Sequence, residues 1–114
     1  MKTSPTQRSI AYLKKNGHLP WIVEKWNPHA KVRQDMYGWV DIVAVSAEVP
    51  GVLGVQTTTK HNMQARLHKA LGNKALVAWI KAGGRLVIHG WQKKRGRWEV
   101  DCRPVTLMDL EMAS

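Results

Sequence analysis

At 114 residues with 44% hydrophobic side chains, the chain is long enough for one domain with a single modest core and too short for two. That content excludes a disordered chain, no apolar run approaches the ~18 residues that cross a bilayer, and the polar N-terminus has no signal-peptide core. The lone Cys102 excludes an internal disulfide framework, so the expected compartment is the cytoplasm, with no membrane partner. Eighteen Lys and Arg against eight Asp and Glu give a net charge of +10, which points to a polyanion and first of all to nucleic acid. Plain solubility and acidic lipid are the competing explanations.

Ser4-Pro5-Thr6-Gln7 predicts a helix start, with Ser4 as cap, Pro5 in the first turn and Gln7 completing a capping box. That helix should run to about Asn16 and stop at Gly17, with Ile10 and Leu13 as a narrow apolar stripe. Trp21 to Trp26 reads as a strand closed by Asn27-Pro28, and residues 29–37 as a polar loop. Gly38 to Val45 is an apolar strand with Asp41 in its middle. A turn over Glu48-Val49-Pro50-Gly51 leads to a strand from Val52 to about Thr58, so these two strands form a hairpin. Asn62 is positioned to cap a helix ending near Gly72, with Met63, Leu67, Ala70 and Leu71 facing the core. Asn73 caps a second helical segment, with Leu76, Trp79 and Ile80 inward, that ends at Gly83-Gly84. Arg85–Trp91 and Arg97–Cys102 form a last hairpin around Lys93-Lys94-Arg95-Gly96, ended by Pro104. The expected organisation is a domain over residues 1–103 and a weakly specified, mildly acidic tail over 104–114. The fold class is α+β or mixed α/β, with helices covering a central sheet.

An ionised carboxylate inside an apolar strand is costly unless it is paired or metal-bound, and Asp41 is such a group. Gln56, Thr58 and Lys60 share one face of the next strand if it stays extended that far. In aligned register a carboxylate, an amide oxygen, a hydroxyl and an ammonium would then converge. A carboxylate with one or two further oxygens suffices for Mg²⁺, or Mn²⁺ in its place, and Asp35 and Glu24 are additional candidate ligands. Such an ion activates water and neutralises charge on a scissile phosphate, with Lys60 steadying the water or the phosphate. The competing reading is a structural carboxylate paired with Arg33 or Lys60.

The run Arg33-Gln34-Asp35-Met36-Tyr37-Gly38-Trp39-Val40-Asp41, followed by Leu53-Gly54-Val55-Gln56-Thr57-Thr58, resembles the active-site hairpin of the PD-(D/E)XK nuclease superfamily. It is most similar to the small Holliday-junction-resolvase-like and VRR-NUC-like members of phages and bacteria. Glu24-Lys25-Trp26-Asn27-Pro28 before the hairpin and His89-Gly90-Trp91 after it add to the resemblance, which covers roughly residues 5–100. The superfamily core is helix, three strands, helix, strand, and the expected element order matches it with one extra strand. The resemblance implies a single-domain restriction-endonuclease-like fold and Mg²⁺- or Mn²⁺-dependent cleavage of DNA, duplex or branched, by a homodimer in a bacterial or phage-infected cell. It makes Asp41 the motif aspartate and metal ligand, and puts Gln56 in place of the usual Glu. Thr58 stands where the catalytic Lys normally is, with Lys60 one strand repeat further on. The first helix lacks the acid of many resolvase-like members, a role that falls to Glu24 or Asp35.

Arg33, the helical face Asn62-Arg66-Lys69 and the hairpin tip Lys93, Lys94, Arg95 and Arg97 are the candidate nucleic-acid contacts, the tip flanked by Trp91 and Trp98. Solvated surface is the alternative for each. Trp39 and Trp79 sit in apolar patterns and belong to the core, and Cys102 is expected to be an inert core residue. His61 and His68 lack a zinc spacing. Two further functions stay open: a degenerate relative that binds nucleic acid without cutting it, which Thr58 favours, and a phage factor that acts on a host protein.

Overall fold

The computed structural model describes residues 4–113, so Met1–Thr3 and Ser114, part of the expected domain and tail, lie outside the described residues. The chain is an α+β domain in which helices flank a mixed five-stranded sheet. In chain order the elements are α1 (Pro5–Lys15), β1 (Leu19–Ile22), β2 (Lys25–Asn27), β3 (Val32–Gln34), β4 (Ile42–Ser46), β5 (Val49–Thr59), α2 (Met63–Leu71), α3 (Lys74–Lys81), β6 (Arg85–Lys94), β7 (Arg97–Val105) and α4 (Leu107–Ala113). The sheet order is β1-β4-β5-β6-β7. Only β5 and β6 are parallel, and α2 and α3 make the crossover between them.

The local chemistry of α1 is as expected: Ser4 Oγ accepts the Gln7 N–H at 3.2 Å, and Gly17 ends the turn at φ 84°. Asn73 Oδ1 likewise accepts the Ala75 N–H at 2.8 Å at the start of α3. Asn62 precedes α2 but makes no side-chain cap, because Lys60–Asn62 winds as a 3₁₀ turn leading into the helix.

Two cores sandwich the sheet. Leu13 of α1 packs on Ile42, Ala44, Leu53 and Val55, and the opposite face buries Trp39, Val40, Leu67, Ala70, Leu76, Leu86, Ile88 and Val105. Each fully buried aliphatic side chain contributes about 1.5–3 kcal/mol. Gly90 is required where the crossover starts: a Cβ there would collide with Met63 and lie 3.0 Å from Lys60 Cα.

Several expectations are corrected. The predicted strand Trp21–Trp26 is two strands. β1 joins the main sheet through β4, whereas β2 pairs with β3 in a separate small hairpin, so the expected polar loop 29–37 is partly strand. The extra order follows from side-chain hydrogen bonding that the strand pattern did not reveal: Asn27 Oδ1 accepts the N–H groups of His29 and Ala30 and turns the chain back. The β4–β5 turn is tighter than expected, at Ala47-Glu48, and Pro50 is tolerated inside β5 beside a break in the ladder between Ala44 and Ser46. The last hairpin is longer on both sides and closes through Arg95 (φ 51°) and Gly96 (φ 79°). Pro104 does not end it, since β7 runs to Val105. The tail is structured too: α4 follows, Leu110 packs on the core, and Asp109 accepts two hydrogen bonds from Arg103, at 2.7 and 3.1 Å. Cys102 is exposed rather than buried, because it lies on the edge strand β7, with Tyr12 Oη 3.8 Å from its sulfur.

Beneath α1 lies a buried polar network. Trp91 Nε1 donates to Ser9 Oγ at 2.9 Å, and the same hydroxyl meets His89 Nδ1 at 2.9 Å. The hydroxyl accepts from the indole, and the direction of its bond to His89 follows the tautomer of the ring. Ser9→Ala should leave both partners buried without their hydrogen bond and cost about 1–3 kcal/mol, read as a lower midpoint at unchanged slope in urea unfolding.

Candidate metal centre

Asp41 lies one residue before β4, yet the ladder continues through it. Its N–H donates to Val55 O at 2.9 Å and its carbonyl accepts the Val23 N–H at 2.9 Å. The pair following Ile42↔Val55 in this register is Asp41 with Gln56, so the two side chains expected to converge are neighbours. The same continuation on the β1 side brings Glu24, next after Val23, alongside. Asp35 arrives by a third route. Met36 and Val40 pair across a tight turn, which sets Asp35 next to Asp41 as the following pair outward. That turn needs two consecutive left-handed residues, Tyr37 at φ 57° and Gly38 at φ 82°.

One carboxylate oxygen from each of Glu24, Asp35 and Asp41 lies within 4.8 Å of the others. Oxygens bound to one cation at about 2.1 Å stand about 3 to 4 Å apart, so a small contraction would fit the three to a single ion. Asp41 is only 5% exposed, and among the described residues no cation pairs with it: Arg33 pairs with Glu24 at 3.2 Å and Lys60 with Asp101 at 3.7 Å. The structural alternative of an Asp41 ion pair with either residue is thereby excluded. Its one strong partner is the Thr57 N–H, at 2.8 Å from Oδ2. Burial, and then the neighbouring carboxylates Asp35 and Glu24, push the Asp41 carboxyl up to about 8 against the pull of that N–H.

Gln56 supplies a second, independent sign. It is 1% exposed, its Nε2 lies 3.5 Å from Asp35 Oδ2, and its Oε1 is buried without a partner among the described residues. An orphaned buried carbonyl costs about 1–3 kcal/mol, and turning the amide over would aim this one into the carboxylate cluster. The donor set, three carboxylates and an amide oxygen, suits a hard divalent cation such as Mg²⁺ or Mn²⁺.

The remaining predicted residues divide. Thr58 is buried two residues beyond Gln56 on the same face, opposite Gly90. Lys60 is not brought in. The strand gives way to the 3₁₀ turn at that residue, and the ammonium reaches across β6 to Asp101 on β7, away from β4. Arg33, Arg66 and Lys69 do gather at the centre, lining with Asp35, Tyr37 and Gly38 a cleft of about 660 Å³. Asn62 is exposed one turn earlier along the same helix. Lys93, Lys94, Arg95 and Arg97 form the tip of the β6–β7 hairpin, which continues about 10 Å past the end of β5 at the same end of the sheet. Of the flanking tryptophans only Trp98 is exposed, with the Arg8 guanidinium 3.6 Å over its ring, whereas Trp91 is buried.

Compared with known proteins, the chain matches no family model, no curated protein and no solved structure.

Burial also pushes His89 down to about 4. Its folded value lies below the 6.5 of the unfolded chain, so its contribution makes stability rise with pH from about 4 to 6.5. Asp41 is raised above its reference of 3.8, so its contribution makes stability fall from about 4 to 8. The two oppose below 6.5, and above it only the Asp41 loss remains. Urea unfolding in EDTA should therefore show stability declining between about pH 6.5 and 8. Asp41→Asn should abolish the decline and stabilise the metal-free protein by roughly 1–2 kcal/mol at pH 8.

Proposed function

We propose that the chain is a metal-dependent phosphodiesterase acting on DNA, with a restriction-endonuclease-like fold. The observation that carries this reading is the group Glu24, Asp35 and buried Asp41, drawn together with Arg33, on Glu24, as its one ion-pair partner among the described residues, and joined by the orphaned Gln56 carbonyl. It is supported by the Asp41–Gln56 pairing across β4 and β5, where the superfamily hairpin has its acid motif, and by the mixed sheet whose parallel pair is joined through α2 and α3. Glu24, Asp35, Asp41 and Gln56 would hold Mg²⁺ or Mn²⁺, which supplies an activated water and neutralises charge on the scissile phosphate.

The chain's own residues have separable tasks. Thr57 N–H fixes one Asp41 oxygen and leaves the other free to face Glu24 and Asp35. Arg33 neutralises part of the excess negative charge through Glu24. Arg66 and Lys69, across the cleft from Asp35, orient the phosphate backbone, and the basic hairpin tip extends the contact along the polymer.

A second reading, nucleic-acid binding without cleavage, is favoured by one feature: among the described residues no lysine is paired with the carboxylates, since Thr58 occupies the motif position and Lys60 is paired with Asp101. Incubation of purified protein with Mg²⁺ or Mn²⁺ on duplex, junction and single-stranded DNA decides between them. Cleavage is expected, lost at least 100-fold in Asp41→Asn and Asp35→Asn, and weakened through KM in Arg66→Ala and Lys69→Ala. Salt-sensitive binding with no metal-dependent cleavage by the wild type would select the binder.

A further inference from the structure

The cleft beside the carboxylates has one exposed aromatic residue in its lining, Tyr37, and the neighbouring β2–β3 hairpin carries another, Trp26. Trp26 is 59% exposed and Tyr37 is 57% exposed. Both are tied to the centre by covalent neighbours and by cross-strand pairing. Trp26 pairs with Arg33 across β2–β3, so the two side chains share a face of that hairpin, and the Arg33 guanidinium touches Glu24. Tyr37 follows Asp35 by two residues and lines the cleft together with Arg33, Arg66 and Lys69.

Tyr37 is also held rather than loose. It is a bulky residue at φ 57°, a backbone conformation that disfavours side chains of its size. Asn73 Nδ2 fixes its carbonyl at 2.9 Å, and its ring stacks on buried Trp39 at an interplanar angle of 26°. The ring thus packs on Trp39 and still leaves the residue 57% exposed. A rigid ring beside a phosphate-binding groove is a base-stacking platform, because every base offers a π-face whereas paired bases inside a duplex do not.

We infer that Trp26 and Tyr37 stack unpaired bases beside the metal centre, so that the substrate is single-stranded DNA or an unpaired flank of a duplex. This rests on the reading of the face as a DNA-cleavage site. It adds that the bases next to the scissile phosphate are recognised unpaired, with Arg33, Arg66 and Lys69 following the backbone. A fully paired duplex would meet only the cations.

The test is equilibrium binding in EDTA, where no cleavage occurs, of a fluorescein-labelled oligo-dT single strand and of a blunt duplex of equal length. The single strand should bind more tightly and quench tryptophan emission. Trp26→Ala and Tyr37→Ala should each weaken it by about 5- to 100-fold while leaving duplex affinity within twofold, and Trp26→Phe and Tyr37→Phe should retain most of the affinity. Equal losses on both DNAs, no loss on the single strand, or Ala variants that instead dissociate a dimer in light scattering would overturn it. Because no step requires turnover, an absence of metal-dependent cleavage alongside this binding pattern would count against the nuclease reading alone.

Discussion

The organisation of this domain turns on a carboxylate that is almost wholly buried. Asp41 sits at the start of β4, between the strand that carries Gln56 and the end of β1, and receives one good hydrogen bond, from the Thr57 N–H. Two further carboxylates are folded toward it, and the Arg33 guanidinium pairs with one of them, Glu24. Such an arrangement is unfavourable for the metal-free protein, and its persistence depends on the surrounding sheet being stable enough to impose it. The two apolar layers provide that stability, with α1 closing one face and α2 and α3 the other.

Charge is layered around this centre. Acids lie inside, at the meeting point of β1, β4 and the turn through Tyr37, while Arg33, Arg66, Lys69 and the β6–β7 tip lie outside at the same end of the sheet. The exposed Arg33–Glu24 pair adds little to stability, of the order of 0–1 kcal/mol for such pairs. Its consequence is electrostatic: it moderates repulsion among the carboxylates and leaves a cation at the cleft's rim. A protein of net charge +10 thus gathers three of its acids at one point and sets positive charge around them.

Much of the fold was legible in the chain. Caps at Ser4 and Asn73, the glycine stop at Gly17, helical spacing through Leu67 and Leu76 and the hairpin around Asp41 are local signals, and local hydrogen bonding honours them. The small β2–β3 hairpin escaped because its strands are three residues long and exposed, with no alternation to detect. The helical end of the tail escaped because its anchor, Arg103 to Asp109, is a side-chain contact without a periodic pattern. In the site, Asp41, Gln56, Asp35 and Glu24 were all readable as candidate oxygens. Lys60 was misplaced because alternation along β5 was carried one residue too far, into the 3₁₀ turn that precedes α2. Trp26 and Tyr37 were passed over because nothing in the sequence distinguishes an exposed aromatic from a core one.

The chain by itself determined which residue types exist to do chemistry, the basic character of the surface and the existence of a hairpin whose strands carry Asp41 and Gln56. Those are properties of composition and of short-range spacing. Tertiary structure alone decided that Glu24, Asp35 and Asp41 meet, that Arg33 goes to Glu24 and Lys60 to Asp101, and that the Gln56 carbonyl is left without a partner among the described residues. The reason is that three separate backbone devices converge there: the extension of β1 past Ile22, the left-handed turn at Tyr37-Gly38 and the register of β4 on β5. None is encoded near the others, so only the closed sheet brings their side chains to one point.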